Sequence, residues 1–196
     1  MFKTILLNQD NQWDSLDPVL QQHYAINDGE SIRMEGDLAV KHGRFIKLLM
    51  PLIRLTGALV PVEGEHFCVV VENKRTADLL HWHRVFYKDN KSYEFNSRMV
   101  QSGNDIIEFV GLGIGIRLGL RVTQGRLVFE DKGYVIQIGK KIFTIPLQLL
   151  IGETIIEEYA TKAPNEFAMK FTVNHPWFGF AFSYKGCFKL KKAKVY

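Results

Sequence analysis

After Glu65 the sequence consists of short apolar runs separated by turn-forming residues, and this pattern constrains the fold more than any other feature. Examples of the runs are HFCVVVEN, LLHWHRVFYK, KSYEFNSRMVQ and EFAMKFTVN. The connecting segments KDNK, SGND, DKG, GKK, KAPN and NHPW are rich in the residues that turns favour. No helical period survives in this part of the chain. The pattern predicts about ten antiparallel strands, which bury their apolar faces best as a barrel-like sheet.

Two helices are predicted before these strands. The fold class is therefore α+β and mostly β, with two N-terminal helices and an open or closed barrel-like sheet. The first helix lies in WDSLDPVLQQHYA, where Asp14 or Ser15 can cap the helix and Pro18 suits its first turn. The second spans 44–60 within GRFIKLLMPLIRLTGALVPVEG. The length of 196 residues is typical of one domain, 1–196.

The second helix combines a wide apolar face with a narrow basic side, because Lys47 and Arg54 lie about two helical turns apart. Pro51 removes a helical hydrogen bond and predicts a kink or a division into two short helices. Gly57 and Pro61 are expected to end the helix. Such a face can pack on a sheet, cover a ligand cavity or lie in a membrane interface. The sequence leaves these three uses open.

Composition and charge restrict the class of partner. The chain is 46% hydrophobic and 23% charged, which is typical of a globular protein. Its formal net charge is +4, and much of this excess comes from the tail KLKKAKVY at 189–196. We interpret the tail as a solvated chain end, with attraction to an anionic membrane surface as the alternative. We expect no nucleic-acid partner.

Cysteine usage and hydropathy predict a cytoplasmic protein. Cys68 and Cys187 lie far apart and fit no metal-binding spacing, which favours reduced thiols. The N-terminal segment MFKTILLNQDNQW has an apolar block too short for a signal peptide. No stretch reaches the roughly 18 to 20 uncharged apolar residues that cross a bilayer. Peripheral attachment to the inner membrane is the alternative location.

The segment LLHWHRVFYKDNKSYEFNSRMVQ predicts a β-hairpin with a two-residue turn at Asp89–Asn90. This register pairs Lys88 with Lys91, and Trp82 with Ser97. Because side chains alternate along a strand, one set faces the inside of the sheet and the other faces outward. The predicted inner set is Trp82, Arg84, Phe86, Tyr93, Phe95 and Met99, and the predicted outer set is His81, His83, Tyr87, Glu94, Asn96 and Arg98.

A second turn at Gly103–Asn104 extends this register and places Glu108 opposite Met99. The inner face then receives one cation, Arg84, and one anion, Glu108. An isolated buried charge is costly even after relaxation, so each of them needs a partner or water. The two can pair with each other, or lie near a wet end of the barrel. Alternatively, the guanidinium can bind an anionic headgroup.

The sequence gives little support for a dinucleotide-binding, metal-binding or catalytic motif. In GLGIGIRLGL no helix follows the glycines, as a dinucleotide fingerprint requires, so we interpret the segment as a bend in the sheet. His81 and His83, even with His66 or Glu72, lack a third ligand at a known spacing, so we expect no metal and no cofactor. The adjacent carboxylates Glu157–Glu158 face opposite sides of a strand. No Ser or Cys lies on a strand-to-helix elbow, so no catalytic residue is assigned.

A series of segments, in order, resembles the bacterial domain of unknown function 4166. They include EGDLAVKHGRF, WHRVFYKDNKSYEFNSRM, IIEFVGLGIGIRLGL, RLVFEDKGY and HPWFGFAFSYKGCF. The likeness runs from about Leu16 to Phe188. It implies that Arg84 and Glu108 are characteristic family positions, and it implies no established reaction. The resemblance also implies that some members are attached to nicotinamide-nucleotide-binding domains, for which this chain has no room, so no oxidoreductase role carries over.

Taken together, the patterns predict a non-enzymatic module that binds a small apolar or amphipathic molecule, such as a lipid, inside a β-barrel or cup. A peripheral membrane or protein-interaction domain that uses helix 44–60 is the alternative. An enzyme is the third hypothesis, and it requires the region of Arg84 and Glu108 to open into a solvent-reached cleft. The sequence sets no oligomeric state. The candidate ligand-binding residues are Trp82, Arg84, Phe86, Phe95, Met99 and Glu108.

Overall fold

The computed structural model describes residues 1–56 and 60–191, and for 52–56 it describes the helical backbone only. The predicted helix end at Gly57, the side chain of Arg54 and the distal part of the predicted tail therefore lie outside the described residues. The predicted class is confirmed: the chain is mostly β with N-terminal helices, and its strands are all antiparallel.

Four α-helices and eleven strands make up the described chain, with short 3₁₀ helices at Gln12–Ser15 and Gly111–Gly113. The helices are α1 (Phe2–Asn8), α2 (Pro18–Tyr24), α3 (Arg44–Thr56) and α4 (Gln148–Ile151). The strands are β1 (Ser31–His42), β2 (Gly64–Thr76), β3 (Leu79–Lys88), β4 (Lys91–Ser102), β5 (Asp105–Phe109), β6 (Ile114–Thr123), β7 (Arg126–Ile138), β8 (Lys141–Ile145), β9 (Glu153–Ala160), β10 (Glu166–His175) and β11 (Gly179–Leu190).

Ten of the strands close into a barrel, in the order β6-β5-β4-β3-β2-β1-β11-β10-β9-β7, and the pairing of β7 with β6 completes the ring. Strand β7 is long enough to have two neighbours on its other side. Its first half, Leu127–Glu130, pairs with β9, and its second half, Tyr134–Ile138, pairs with β8. The hairpin of β7 and β8 therefore extends beyond the closed ring.

Helices α1 and α2 seal the end of the barrel at which β3, β5 and β7 begin, which we name the lower end. Phe2 of α1 stacks on Tyr24 of α2 with ring centres 4.0 Å apart, and Leu20 is fully buried. The backbone N–H of Asp17 donates to the carbonyl of Gly125 at 3.0 Å. The sequence interpretation missed α1, whose short apolar block gains its stability from packing against the barrel rather than from helix propensity.

The opposite, upper end carries α3, α4 and the 3₁₀ turn between β5 and β6. Helix α3 continues across Pro51 as one element, so the predicted division into two helices is wrong. A proline removes only one helical hydrogen bond, and Ile46 and Met50 on the preceding turns are buried against the barrel. The helix begins after Gly43, where a side chain is excluded because a Cβ would lie 1.9 Å from the carbonyl oxygen of Phe180.

Two segments are now defined more closely. The pattern of ESIRMEGDLAVKHG is compatible with a short strand pair or an extended passage, and the segment forms the single strand β1, which lies between α2 and α3. The predicted bend in GLGIGIRLGL is a chain reversal: β5 ends at Phe109, and Leu112 has a left-handed backbone with φ of 61°. Gly113, with φ of 73°, permits this tight turn between two antiparallel strands. At the C-terminus, Lys189 of the predicted tail lies in β11.

Candidate functional site

The predicted register of the β3–β4–β5 meander is confirmed. Lys88 pairs with Lys91 and Trp82 pairs with Ser97, as the turn at Asp89–Asn90 requires. In the second hairpin Met99 lies opposite Glu108. Trp82, Arg84, Phe86 and Phe95 therefore face the barrel interior, and the imidazoles of β3 face outward.

The barrel interior contains a cavity of about 420 Å³. It extends from Tyr24 of the lower helices to Ile46 and Leu49 of α3, so α3 covers the cavity, which is one of the three uses predicted for it. All six candidate ligand-binding residues line this cavity. They are Trp82, Arg84, Phe86, Phe95, Met99 and Glu108, and most of the remaining wall is apolar, for example Val69, Val71, Phe129, Ile156, Phe167 and Phe182.

The cavity opens toward the upper end. Leu112 and Leu150 line it, yet 73% and 39% of their surfaces are exposed. These two side chains belong to the 3₁₀ turn and to α4, which lie beside α3. Leu112 and Leu150 therefore mark the place where the cavity lining reaches the surface, which we name the mouth.

Arg84 is held rigidly in the wall of the cavity. Its guanidinium donates to Ser97 Oγ and to Glu108 Oε1, both at 2.9 Å, and Ser97 Oγ donates to the same carboxylate oxygen at 2.6 Å. The ring centres of Trp82 and Phe95 lie 4.5 and 4.8 Å from the guanidinium carbon. Of the arrangements left open by the sequence, direct pairing is the one that the structure shows.

A second carboxylate was missed by the sequence interpretation. Glu158 is fully buried, lines the cavity and accepts a hydrogen bond from the hydroxyl of Tyr24 at 2.7 Å. Burial raises the pKa of Glu158 to about 7, with a smaller contribution from Glu108, while Tyr24 and Arg84 oppose the shift. The alternation of side chains in ETIIEEYA is a sufficient sequence signal for an inward Glu158. Its neighbour Glu157 faces outward, where its Oε2 lies 3.5 Å from Lys170 Nζ.

These groups form two hydrogen-bonded clusters, Arg84–Ser97–Glu108 and Tyr24–Glu158, which together we name the polar floor. The positive charge of Arg84 lowers the pKa values of both Tyr24 and Glu158, but the effect of burial on these two groups is larger. Burial, reinforced by Glu158, raises the pKa of Tyr24 well above its usual value, so its phenol is a hydrogen-bond donor at neutral pH.

Three buried polar side chains near the polar floor have no hydrogen-bond partner among the described residues: His23, Asn73 and Trp82 Nε1. His23 packs edge-on against Trp82, with ring centres 5.6 Å apart. Burial, and to a lesser extent the charge of Arg84, lowers the pKa of His23 to about 3, so this imidazole is neutral. An unmade buried hydrogen bond is destabilising, and of these three side chains only Trp82 lines the cavity.

The outer face of the meander does not gather the predicted alternative ligands into a site. His83 Nδ1 lies 2.7 Å from Asn96 Oδ1, and His66 Nδ1 lies 3.2 Å from Asp37. His81 and His83 are both exposed. Within residues 1–56 and 60–191, no three potential ligand side chains come close enough to hold a metal ion.

The upper end displays an unusual amount of exposed apolar surface, which we name the apolar rim. Of the thirteen exposed large apolar side chains among the described residues, ten lie on the elements that surround the mouth. They are Leu48 of α3, Leu112 of the 3₁₀ turn, Ile138, Ile142 and Phe143 of the β7–β8 hairpin, Leu149 and Leu150 of α4, and Trp177, Phe178 and Phe180 at the β10–β11 turn.

His175 joins two parts of the rim. Its Nδ1 accepts the backbone N–H groups of Trp177 and Phe178 at 3.2 and 3.4 Å, and its Nε2 donates to the carbonyl of Leu149 at 3.0 Å. The ring of Phe178 also stacks on Phe45 of α3 at 4.2 Å. The aromatic turn, α4 and α3 are therefore fixed relative to one another.

Comparisons with known proteins assign the chain to a family but indicate no activity for it. No curated protein matches the chain. The crystal structure of Rv2717c from M. tuberculosis is similar with a TM-score of 0.44 and 10% sequence identity, over 90% of this chain and 99% of that one. Among the described residues, no helix has the length and hydropathy needed to cross a bilayer. A family model matches residues 16–188, and the chain therefore belongs to the family described as the domain of unknown function DUF4166.

Proposed function

We propose that this chain is a non-enzymatic binding module that holds a small, largely apolar molecule with an uncharged polar end inside its barrel. The observation that carries the proposal is the cavity of about 420 Å³, which is apolar along most of its wall and polar at its floor. Small-molecule sites in proteins have volumes of about 300 to 1,000 Å³ and combine an apolar lining with a few polar groups. An elongated amphipathic molecule matches this distribution.

The balance of charge favours an uncharged polar end over an anionic one. The positive charge of Arg84 is already matched by Glu108 at 2.9 Å. An anionic headgroup beside Arg84 would also face Glu158, so it would meet two acidic side chains and one base. Two carboxyl groups that share a site raise each other's pKa, and a third would add to that cost. This argument favours a hydroxyl or carbonyl group over the anionic headgroup considered from the sequence.

Hydrogen-bonding groups in and beside the polar floor suit an uncharged polar end of the ligand. The N–H of Trp82 is buried and has no partner among the described residues, and it can donate to a hydroxyl or carbonyl oxygen. Glu158, with its pKa near 7, carries a proton in a large fraction of molecules at neutral pH and can donate as well. Neither interaction requires a charge on the ligand.

Two fluorescent probes that differ in charge test this proposal. N-phenyl-1-naphthylamine is uncharged, whereas 1-anilinonaphthalene-8-sulfonate has a similar aromatic body and a sulfonate. At about pH 6 we expect the protein, stripped of lipid by solvent extraction and refolding, to bind the uncharged probe at least about tenfold more tightly. Decan-1-ol should displace that probe and decanoate should displace it poorly. Equal or tighter binding of the anionic compounds would refute the uncharged end.

Adjacent residues on β9 provide a matched pair of variants for the cavity itself. Ile156 lines the cavity and Ile155 faces outward on the same strand. Ile156→Phe fills part of the space and should weaken binding of the uncharged probe by about tenfold, while Ile155→Phe should leave it unchanged. Circular dichroism of both variants checks that each is folded. If Ile156→Phe is folded and binds as the unmodified protein does, the ligand does not occupy the barrel.

A further inference from the structure

We propose that the apolar rim docks on the surface of an anionic lipid bilayer, so that the mouth faces the hydrocarbon from which the apolar ligand is taken. The docking half of this inference stands on the rim itself, and the exchange of ligand rests on the proposed function. The surface includes Arg44 and Leu48 of the helix 44–60 that the sequence suggested, but Ile46 and Leu49 of this helix line the cavity and most of the rim lies on other elements.

The aromatic turn between β10 and β11 has the chemistry of an interfacial anchor. Trp177 is 73% exposed and Phe178 is 57% exposed, and both lie at the tip of a turn. Tryptophan is enriched where a membrane meets water, because its ring is apolar and its N–H is polar. The hydrogen bonds of His175 and the stacking on Phe45 hold this turn in place, so little ordering is needed when it inserts.

Charge at the upper end complements anionic lipid. Arg44 begins α3, and Lys140 and Lys141 lie at the tip of the β7–β8 hairpin next to Ile138 of the rim. All three are exposed, and none forms an ion pair within residues 1–56 and 60–191. Among the described residues next to the rim, Glu153 is an exposed carboxylate, and the half-buried Asp131 accepts hydrogen bonds from Gln148 and from the backbone N–H of Thr154. The three exposed cations therefore outnumber the one exposed carboxylate there. Basic side chains near an apolar surface strengthen attachment to anionic bilayers.

Continuity between rim and cavity favours a bilayer over a protein partner or a second copy of this chain. Leu112 and Leu150 belong to the rim and also line the cavity. When the rim lies in a bilayer, an apolar molecule passes from lipid into the barrel along these side chains without entering water. A protein bound to the rim would close the mouth and leave the cavity without an entrance for its ligand.

Vesicle binding by the full chain tests the docking. We use unilamellar vesicles of phosphatidylcholine with about 30% phosphatidylglycerol, and vesicles of phosphatidylcholine alone. Of the three tryptophans, Trp13 and Trp82 are buried, so Trp177 reports insertion by a blue shift and by quenching from brominated lipid. Co-sedimentation with the anionic vesicles is expected, with weaker binding at high salt.

Variants at the two ends of the barrel give a matched comparison. Trp177→Ser combined with Phe178→Ser should lower the vesicle partition coefficient at least about tenfold. Leu7→Ser changes an exposed apolar residue of α1 at the sealed end and should leave partitioning unchanged. Lys140→Glu combined with Lys141→Glu should remove the preference for anionic vesicles. Absence of binding, or equal binding by the double serine variant, would overturn the docking, as would a concentration-dependent dimer that this variant abolishes.

The two proposals fail separately. If the protein binds vesicles through the rim but binds neither fluorescent probe, the docking proposal holds and the ligand-binding proposal is refuted. Probe binding in a protein that ignores both kinds of vesicle would retain the ligand site and refute the docking. If both hold, anionic vesicles should extract N-phenyl-1-naphthylamine from the loaded protein, and the double serine variant should slow this transfer about tenfold.

Discussion

The two ends of this barrel treat apolar surface in opposite ways. At the lower end, α1 and α2 bury their apolar side chains against the strands, and Phe2 and Leu20 are inaccessible to water. At the upper end, α3 and α4 cover part of the opening and leave the apolar rim exposed. A contiguous exposed apolar patch is usually an interaction site, because burying it within the fold would have been stabilising. The comparison indicates that the lower end contributes stability to the fold, and we propose that the upper end provides access to the cavity.

The largest expected effect comes from the polar floor on the sealed side. Arg84→Met leaves Glu108 without its cation inside the barrel and should destabilise the protein by about 3 to 5 kcal/mol. Lys170→Met, which removes the exposed partner of Glu157, should cost less than about 1 kcal/mol. Urea denaturation of both variants measures the difference. A further change of Glu108→Leu on the Arg84→Met background should recover much of the loss, and a larger loss there would contradict the assignment of an unpaired charge.

Equivalent truncations at the two ends sharpen the comparison directly. Leu20→Ala removes a fully buried side chain from α2 and should cost about 2 to 5 kcal/mol, because it leaves a cavity between the lower helices and the strands. Leu149→Ala removes a rim side chain that is 60% exposed and should change the free energy of unfolding by about 0.5 kcal/mol or less. Chemical denaturation at one pH compares them. Similar losses would show that the rim stabilises the fold.

The raised pKa of Glu158 predicts that the stability of the protein depends on pH through a group at the sealed end of the barrel. Its pKa is about 7 in the folded protein and 4.5 in the unfolded one, so its contribution is fully present below about pH 4.5 and is lost as pH rises through 7. Glu158→Gln retains a neutral acceptor for Tyr24. The variant should match the unmodified protein near pH 4.5 and exceed its stability by up to about 3 kcal/mol above pH 7.

Measuring the free energy of unfolding of both proteins from about pH 4.5 to 8 tests this sign. His23, with a folded pKa near 3, has the opposite sign, because its unfolded form takes up a proton first as pH falls. Its effect is common to both proteins and cancels in the difference. A constant difference across this range would mean that Glu158 is ionised in the folded state.

Local features of the sequence were sufficient for the β3–β4–β5 meander. The turns Asp89–Asn90 and Gly103–Asn104 set the register, and period-two alternation then sent Trp82 and Arg84 inward. Both signals lie in consecutive residues, and a slip by one residue would have exposed every apolar side chain of the hairpin. The same alternation sends Glu158 inward, but only its tertiary surroundings identify Tyr24 as its partner.

By itself, the sequence determined most of the strands after Glu65, the register of the meander and the face on which each side chain of the meander lies. The tertiary structure alone decided that β7 closes the ring with β6 and β9, that α1 and α2 seal one end, and that Tyr24 meets Glu158, 134 residues away. Turns and alternation act between neighbours along the chain and can be read locally. Closure and buried pairing depend on which distant surfaces exclude water together, and no local pattern encodes that choice.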